Sequence, residues 1–160
     1  MTTSTAVVTA DDSIDNQDDE INGKIMISGY GGSGIDFSAG VFSEANIDST
    51  ESIIITGEGG VGKGNIAGVA LRMLDEYTNY GIIKTISADH QIFVRGNGGT
   101  GTDIVDSKGI HLSNVEVDAG KGIYLIGQAG SSIGETSHDK FLDGIFIENT
   151  KITIDSSDAI

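Results

Sequence analysis

Four short apolar segments recur along the chain, and each ends two residues before a cluster of glycines. The segments are alternating apolar runs at residues 25–27, 53–55, 92–94 and 123–125, with the period of two that is expected for β-strands. The glycine clusters read GYGG at 29–32, GEGG at 57–60, GNGG at 96–99 and GQAG at 127–130. Four copies of one pattern in a short chain indicate an internal repeat.

Two further landmarks recur with the glycine clusters. The second landmark is a glycine followed by a β-branched residue, and it falls at 40–41, 68–69, 109–110 and 144–145. The third is an aliphatic residue six positions before an isoleucine, and the pairs are Ile47 with Ile53, Ile86 with Ile92, Val117 with Ile123, and Ile154 with Ile160. Each repeat therefore predicts three short strands, and the constant spacing predicts polar corners of equal length.

The repeat predicts an all-β fold, a parallel β-helix or solenoid of about four coils with three short strands per coil. Equivalent strands of successive coils would lie side by side in three parallel sheets, with inward side chains in ladders. The second landmarks lie 28 to 41 residues apart, which leaves room for outward loops at 71–81 and 131–143. The spacing of Leu71, Leu74 and Tyr77 predicts a short helix or an ordered loop in the first insertion.

Both ends of the chain depart from the repeat. Residues 1–23 lack the landmarks and carry an acidic run from Asp11 to Glu20, so we expect a weakly structured lead-in or cap there. The β-helix repeats are assigned to 24–160, and the chain stops in mid-repeat. Because the open end of such a stack exposes unpaired backbone, we expect other copies to stack end to end.

Composition narrows the classes of function. The 24 glycines, the absence of proline and a hydrophobic content of 38% fit a thin core repeated along an axis. A net charge of -15, with only two arginines, argues against nucleic-acid binding. No apolar stretch is long enough for membrane insertion, and the absence of cysteine removes disulfides and thiolate metal sites.

Two segments match the glycine and aspartate nonapeptide that binds calcium in RTX proteins. They read GGSGIDFS at 31–38 and GGTGTDIV at 98–105, with Asp36 and Asp103 as the carboxylate ligands. In that motif calcium is shared by closely spaced turns, whereas the next copy here is distant and Gly64 replaces the aspartate in between. Calcium is therefore a secondary hypothesis, and the sequence assigns no other cofactor.

Two catalytic interpretations are weaker than the structural one. The segment GEGGVGKG at 57–64 resembles a phosphate-binding loop, but Gly64 stands where a serine or threonine should hold magnesium. Polysaccharide hydrolases need paired carboxylates, and lyases need a basic residue beside calcium-binding aspartates. No residue is assigned a catalytic role, and the nearest candidate cluster is Asp103, Asp106, His111 and Arg95.

The segments GIHLSNVEVDAGKGIYLIGQAG and GIFIENTKITIDSS resemble those of pectate-lyase-like β-helices. The spacing of the GxGG clusters is similar to that of repeats in filamentous-haemagglutinin-type bacterial exoproteins, and the resemblance covers roughly 24–160. It implies a right-handed helix and an asparagine at the bend after the second landmark, as at Asn114 and Asn149. For the haemagglutinin-type group it also implies secretion and surface attachment, but it names no substrate.

These observations predict a non-catalytic structural or adhesive segment of a large secreted or cell-surface bacterial exoprotein, whose export signal would lie outside this chain. Its expected partners are neighbouring repeats, other copies, and a surface glycan or protein. Two alternatives stay open: a carbohydrate-active or glycan-binding β-helix protein, and a calcium-stabilised RTX-like module. A glycan site needs a groove lined by aromatics and carboxylates, and the four tyrosines and five phenylalanines are scattered along the sequence.

Overall fold

The computed structural model describes residues 5–12, 23–34, 37–72, 81–85, 89–133 and 141–154. Most of these residues are in strands and none is in a helix, so the prediction of an all-β chain is confirmed. The fifteen strands of the described residues are β1 Thr5–Asp12, β2 Gly23–Tyr30, β3 Ser33–Gly34, β4 Phe37–Ser43, β5 Ile47–Ser49, β6 Ile53–Glu58, β7 Val61–Arg72, β8 Gly81–Thr85, β9 Gln91–Asn97, β10 Thr100–Ser113, β11 Val115–Ala119, β12 Gly122–Gln128, β13 Ser131–Ile133, β14 Phe141–Glu148 and β15 Lys151–Ile154.

The strands form three sheets. The first sheet has the order β1-β2-β6-β9-β12, and the third has the order β15-β11-β8-β5. The second sheet has the order β13-β10-β7-β3, with β4 also beside β7 and β14 also beside β10. The described strand pairs are parallel except for β1 and β2, which confirms the predicted parallel sheets.

The first two landmarks of the repeat pair in register. In the first sheet the apolar segments align, and the paired residues in order are Ile25, Ile53, Ile92 and Ile123. In the second sheet the residues after the landmark glycines align, and they are Val41, Val69, Ile110 and Ile145. Like side chains therefore stack on like side chains in both sheets, as the sequence predicts.

The predicted position of the third landmark is wrong in the second repeat. Ile83 pairs with both Ile47 and Val117 in the third sheet, in the place predicted for Ile86. Ile86 itself lies outside the described residues. Because Ile83 precedes Ile92 by nine residues rather than six, the corners do not have equal length.

The predicted position of the third landmark is also wrong in the fourth repeat. Val117 pairs with Ile152, whereas Ile154 pairs with Ala119. The error is a shift of two residues, which leaves the same side chains on the same face of the strand because alternate residues share a face. Spacing alone therefore identified the strand but not its register.

One hydrophobic core lies between the three sheets. Each sheet contributes from the third repeat an aliphatic side chain that is at most 1% exposed: Ile92 from β9, Ile110 from β10 and Val117 from β11. Burial of a side chain of this size stabilises a fold by about 1.5–3 kcal/mol relative to exposure. The core cluster runs through the successive repeats, and the partly buried residues packed against it are Ile25, Ile27, Ile123 and Leu125.

The first and second sheets approach each other most closely at the glycines of the repeat. A Cβ on Gly57 would lie 2.0 Å from the carbonyl oxygen of Gly68, and a Cβ on Gly96 would lie 1.9 Å from that of Gly109. No side chain fits in such a gap, so the glycines recur because the backbones touch there. The same contact occurs between Gly29 and Gly40 and between Gly127 and Gly144.

Two asparagines form the bends after strands β10 and β14. Asn114 and Asn149 have left-handed φ angles of 54° and 44°. Asparagine adopts this conformation more readily than other residues with a side chain. The chain thereby turns directly from the second sheet into the third, with Val115 beginning β11 and Lys151 beginning β15.

The predicted insertions and the lead-in are only partly described. Leu71 and Arg72 end strand β7, so the first insertion is shorter than predicted, and residues 73–80 with the proposed helix lie outside the described residues. Within the predicted lead-in, residues 5–12 form β1 and pair antiparallel with β2. The division of the chain at residue 23 stays a prediction.

Candidate functional site

The two predicted calcium ligands do not define a site in the described structure. Asp36 lies outside the described residues, and Asp103 lies in β10 at a position whose side chain is not described. The pairing of β10 with β7 shifts register between Gly101 and Ile104, around this aspartate. Among the residues that are described, no group of three or more His, Cys, Asp or Glu side chains is arranged for a metal ion. The calcium pair stays a prediction.

The segment that resembles a phosphate-binding loop has a different geometry. Strand β6 ends at Glu58 and strand β7 begins at Val61. A phosphate-binding loop leads into the N-terminus of a helix, whose amides bind the anion, whereas Lys63 lies on an extended strand. Lys63 lines a shallow surface depression together with Val61 and Ile133. The glycines here are structural, as their repetition predicts.

A polar cleft lies on the outer face of the first sheet. Its floor includes the second residue of three successive glycine clusters, namely Tyr30, Glu58 and Asn97. Tyr30 pairs with Glu58, and Glu58 pairs with Asn97, on the adjacent parallel strands β2, β6 and β9. Because residues in register on parallel strands project from the same face, the three side chains form one row across the sheet.

A second row completes the cleft two residues earlier along each strand. Ser28, Thr56 and Arg95 are in register on the same three strands, and they line the same cleft of about 270 Å³. Ser28, Glu58 and Arg95 are exposed, and Tyr30 is 67% exposed. The cleft thus contains the phenol ring and hydroxyl of Tyr30, one carboxylate, one guanidinium, one amide and the hydroxyl groups of Ser28 and Thr56.

The groups that line the cleft are suited to hydrogen bonding and stacking with a polar ligand. Glycoside hydrolysis requires two carboxylic groups on opposite sides of the scissile bond, and Glu58 is the only carboxylate among the lining residues whose side chains are described. Tyr30 offers a flat apolar face with a polar hydroxyl. Arg95 offers a planar fork of donors. These groups can orient a hydroxylated ligand, but they do not form a general acid and base pair.

A second cluster of aromatic and cationic side chains lies on the second sheet. The guanidinium carbon of Arg72 is 5.3 Å from the ring centroid of Phe37 and 4.9 Å from that of Phe42. The two rings meet edge to face with centroids 5.5 Å apart. A Glu44 oxygen lies 3.9 Å from Arg72 Nε. Cation-π contacts of this kind stabilise an exposed arrangement by about 0.5–1 kcal/mol each.

Strands β10 and β14 of the same sheet carry a further group of aromatic and charged side chains. Lys108, whose side chain is 9% exposed, forms an ion pair with Asp106, and its Nζ lies 4.5 Å from the Phe146 ring centroid. His111 also contacts the Phe146 ring, and its Nε2 lies 3.3 Å from Glu148 Oε1. Asp106 Oδ1 is buried and has no hydrogen-bond partner among the described residues.

The side chains of His111 and Glu148 have shifted pKa values. Burial, as the largest cause, lowers the pKa of His111 below its usual 6.5, and the hydrogen bond with Glu148 opposes this effect. The pKa of Glu148 is lowered first by a hydrogen bond from Ser113 and then by His111. His111 is therefore neutral and Glu148 ionised at neutral pH, so the contact is a hydrogen bond between a neutral ring and a carboxylate.

The structure brings together only part of the predicted catalytic cluster. Asp106 and His111 share strand β10, but Arg95 lies on β9 in the first sheet and lines the polar cleft instead. Sequence reasoning missed the cleft because its aromatic and charged residues are far apart in the chain. The variable second residue of each GxGG cluster could have indicated the cleft, since the flanking glycines fix the register of that residue.

The described residues define an all-β protein of stacked parallel strands with a solvent-exposed polar cleft on the first sheet. No family model matches the chain, and no match was found among the curated proteins or the solved structures. In the part of the chain that the structure describes, no helix is long and apolar enough to cross a membrane. The fold and the surfaces described above therefore carry the functional argument.

Proposed function

We propose that the chain is a segment of a right-handed parallel β-helix with about four coils and a structural and adhesive role. The observation that carries the proposal is the in-register stacking of equivalent residues of successive repeats, as in the column of Val41, Val69, Ile110 and Ile145. Stacked repeats form an extended scaffold because each unit buries its apolar face mainly against its neighbours. The family resemblance of the repeats supports the right-handed sense.

The surface of the chain supports an adhesive role in a secreted or cell-surface bacterial exoprotein. A net charge of -15 keeps a long extracellular rod soluble. The polar cleft presents Tyr30 and Arg95 to solvent, and side chains of these types dominate many recognition surfaces. A surface glycan or protein is the proposed partner, and other copies of the chain are the proposed neighbours at the open end of the stack.

The experiment measures adhesion and turnover together. Beads coated with the full chain are passed over immobilised β-glucan, mannan and polygalacturonate, while the release of reducing ends and of unsaturated sugars is followed. We expect retention of the beads on at least one surface and no product above that of beads coated with an unrelated protein. Release of product in proportion to the amount of protein would contradict the non-catalytic role, and absence of retention on all three polysaccharides would contradict adhesion to a surface glycan.

A second candidate function is that of a carbohydrate-active enzyme acting at the second sheet. The observation that favours it is the buried and unpartnered Asp106 Oδ1 beside the buried Lys108, with His111 on the same strand. Carboxylate, ammonium and imidazole groups close together on one strand are the kinds of group that general acid–base catalysis uses. Product release that disappears in the His111→Gln and Lys108→Met variants would establish this function in place of the adhesive one.

A further inference from the structure

Two neighbouring residues of each glycine cluster have different roles. The glycines that begin the clusters cannot carry a side chain, since a Cβ on any of Gly57, Gly96 and Gly127 would lie 1.9 to 2.0 Å from a carbonyl oxygen of the facing strand. The residue directly after each of them points away from this contact, to the outer face. The glycines thus fix the register, and the second residue of the cluster is free to vary.

The variation at this second position is restricted to polar and hydrogen-bonding residues. The four residues in order are Tyr30, Glu58, Asn97 and Gln128. The corresponding row four residues earlier, on the same face of the same strands, is Met26, Ile54, Phe93 and Tyr124. Both rows are accessible to solvent, so exposure alone does not explain the contrast. The second position carries the groups expected of a binding row.

We propose that this row and Arg95 form a binding site for a neutral glycan chain lying across strands β2, β6 and β9. The inference rests on the adhesive function proposed above and names its ligand class. Strands in a sheet are about 4.8 Å apart, so the three strands span about 10 Å, which is the length of a disaccharide unit. A cleft of about 270 Å³ holds part of a sugar chain rather than an enclosed small molecule.

The side chains of the cleft match the two surfaces of a sugar ring. The exposed ring of Tyr30 provides a platform for the apolar face of a pyranose. Glu58, Asn97 and Arg95 provide planar groups, each with two or more acceptor or donor positions. Adjacent hydroxyl groups of a sugar present donors and acceptors at matching separations, so one planar group can bind two of them at once.

Charge decides between a neutral and an acidic glycan. Arg95 is the only cation among the described residues that line the cleft, and Glu58 lies in the middle of the row and offsets its charge. The chain as a whole carries a net charge of -15, which opposes the approach of a polyanion. A polyuronate would therefore meet repulsion both from the protein as a whole and from Glu58, whereas a neutral glycan meets neither.

The test is affinity electrophoresis of the full chain in native gels that contain barley β-glucan, galactomannan, soluble starch or polygalacturonate. Mobility is referred to a gel without polysaccharide, so that charge changes in the variants cancel. We expect at least one neutral polysaccharide to retard the chain. Tyr30→Ala and Glu58→Gln should each weaken this binding by roughly five-fold or more, the effect of losing one strong polar or stacking contact.

The matched control is Tyr124→Ala, which removes a 50% exposed aromatic ring from the same sheet face outside the cleft. It should leave the retardation unchanged, and the circular dichroism spectra of the variants should equal that of the wild type. Retardation by polygalacturonate alone, retardation by none of the gels, or equal retardation of wild type and cleft variants would each overturn the proposal.

The two proposals fail in different ways. If beads coated with wild-type chain and beads coated with the Tyr30→Ala variant are retained equally, the proposal of glycan binding at the cleft is overturned. The adhesive role itself is then still supported. Release of sugar products by the beads would overturn the non-catalytic role, while the gels would still report whether the cleft binds a neutral glycan.

Discussion

The two ends of the strand stack are built differently. At the first end, β1 pairs antiparallel along the whole of β2 and occupies the edge where another parallel strand would lie. At the last end, the inward side chains of β14 are open to solvent: Ile145 is 40% exposed, whereas Ile110, its equivalent one repeat earlier, is 0% exposed. The inward residues of a repeat are therefore buried by the repeat that follows, and one end lacks that cover among the described residues.

The strongest test of this comparison places the same charge at equivalent positions. Ile110→Asp should lower the free energy of unfolding by more than about 4 kcal/mol, because an unpaired carboxylate would be buried in the core. Ile145→Asp should lower it by about 1 kcal/mol, because its carboxylate remains in contact with water. Urea unfolding followed by circular dichroism measures both values. Similar losses in the two variants would show that the last repeat is covered in solution.

A second comparison uses the close glycine contact between the first two sheets, which has the same geometry in the third and fourth repeats. Gly96→Ala should cost about 3 kcal/mol, since the new methyl group would lie only 1.9 Å from the carbonyl oxygen of Gly109, between strands held on both sides. Gly127→Ala meets Gly144 at the same distance, but strand β14 has room to shift, so we expect about 1 kcal/mol. Thermal unfolding ranks the two, and a larger loss for Gly127→Ala would contradict the comparison.

The open end should also control self-association. We expect concentration-dependent association in sedimentation velocity, which the double variant Ile145→Lys with Ile152→Lys should weaken roughly ten-fold by removing apolar contact and adding repulsion. The control is Ile126→Lys, which places the same charge on a residue that is 51% exposed on the outer face. A chain that stays monomeric at high concentration would remove end-to-end stacking from the proposal.

The smallest expected effect is that of calcium. Because the calcium motif is not continued between Asp36 and Asp103, we expect the melting temperature to be the same in excess calcium and in chelator. Differential scanning calorimetry of wild type and of Asp103→Asn measures this. A melting temperature that falls on chelation, and no longer does so in the variant, would make the calcium-stabilised alternative the better one.

The sequence predicted the strands of the first two sheets that carry the repeat because a glycine marks each of them, but it did not predict β1, β3 or β13. Ile53 and Ile110 could be aligned with their equivalents at the correct residue. The third sheet has no such marker, so Ile152 and Ile154 were equally good partners for Val117 by pattern. A shift of two residues keeps every side chain on its face, and only the surrounding packing chooses between the two registers.

The polar cleft was predictable in part. Alternation along a strand places Tyr30 on the outer face, and the stacked glycines place Glu58 beside it. The contribution of Arg95 was not foreseen, because the candidate cluster grouped it with residues of β10. Two strands that are close in sequence lie in different sheets here, and sequence distance then says little about which surface a residue shares.

Because the glycine columns fix the register, the number of repeats would set the length of the proposed glycan ligand. Each added repeat would lengthen the row by one strand width, about 4.8 Å, and by one interchangeable side chain. Gene duplication or loss of whole repeats would then change the length of the ligand that is read, while point mutation at the second cluster position would change its identity. Neither kind of change would disturb the backbone contacts that hold the stack together.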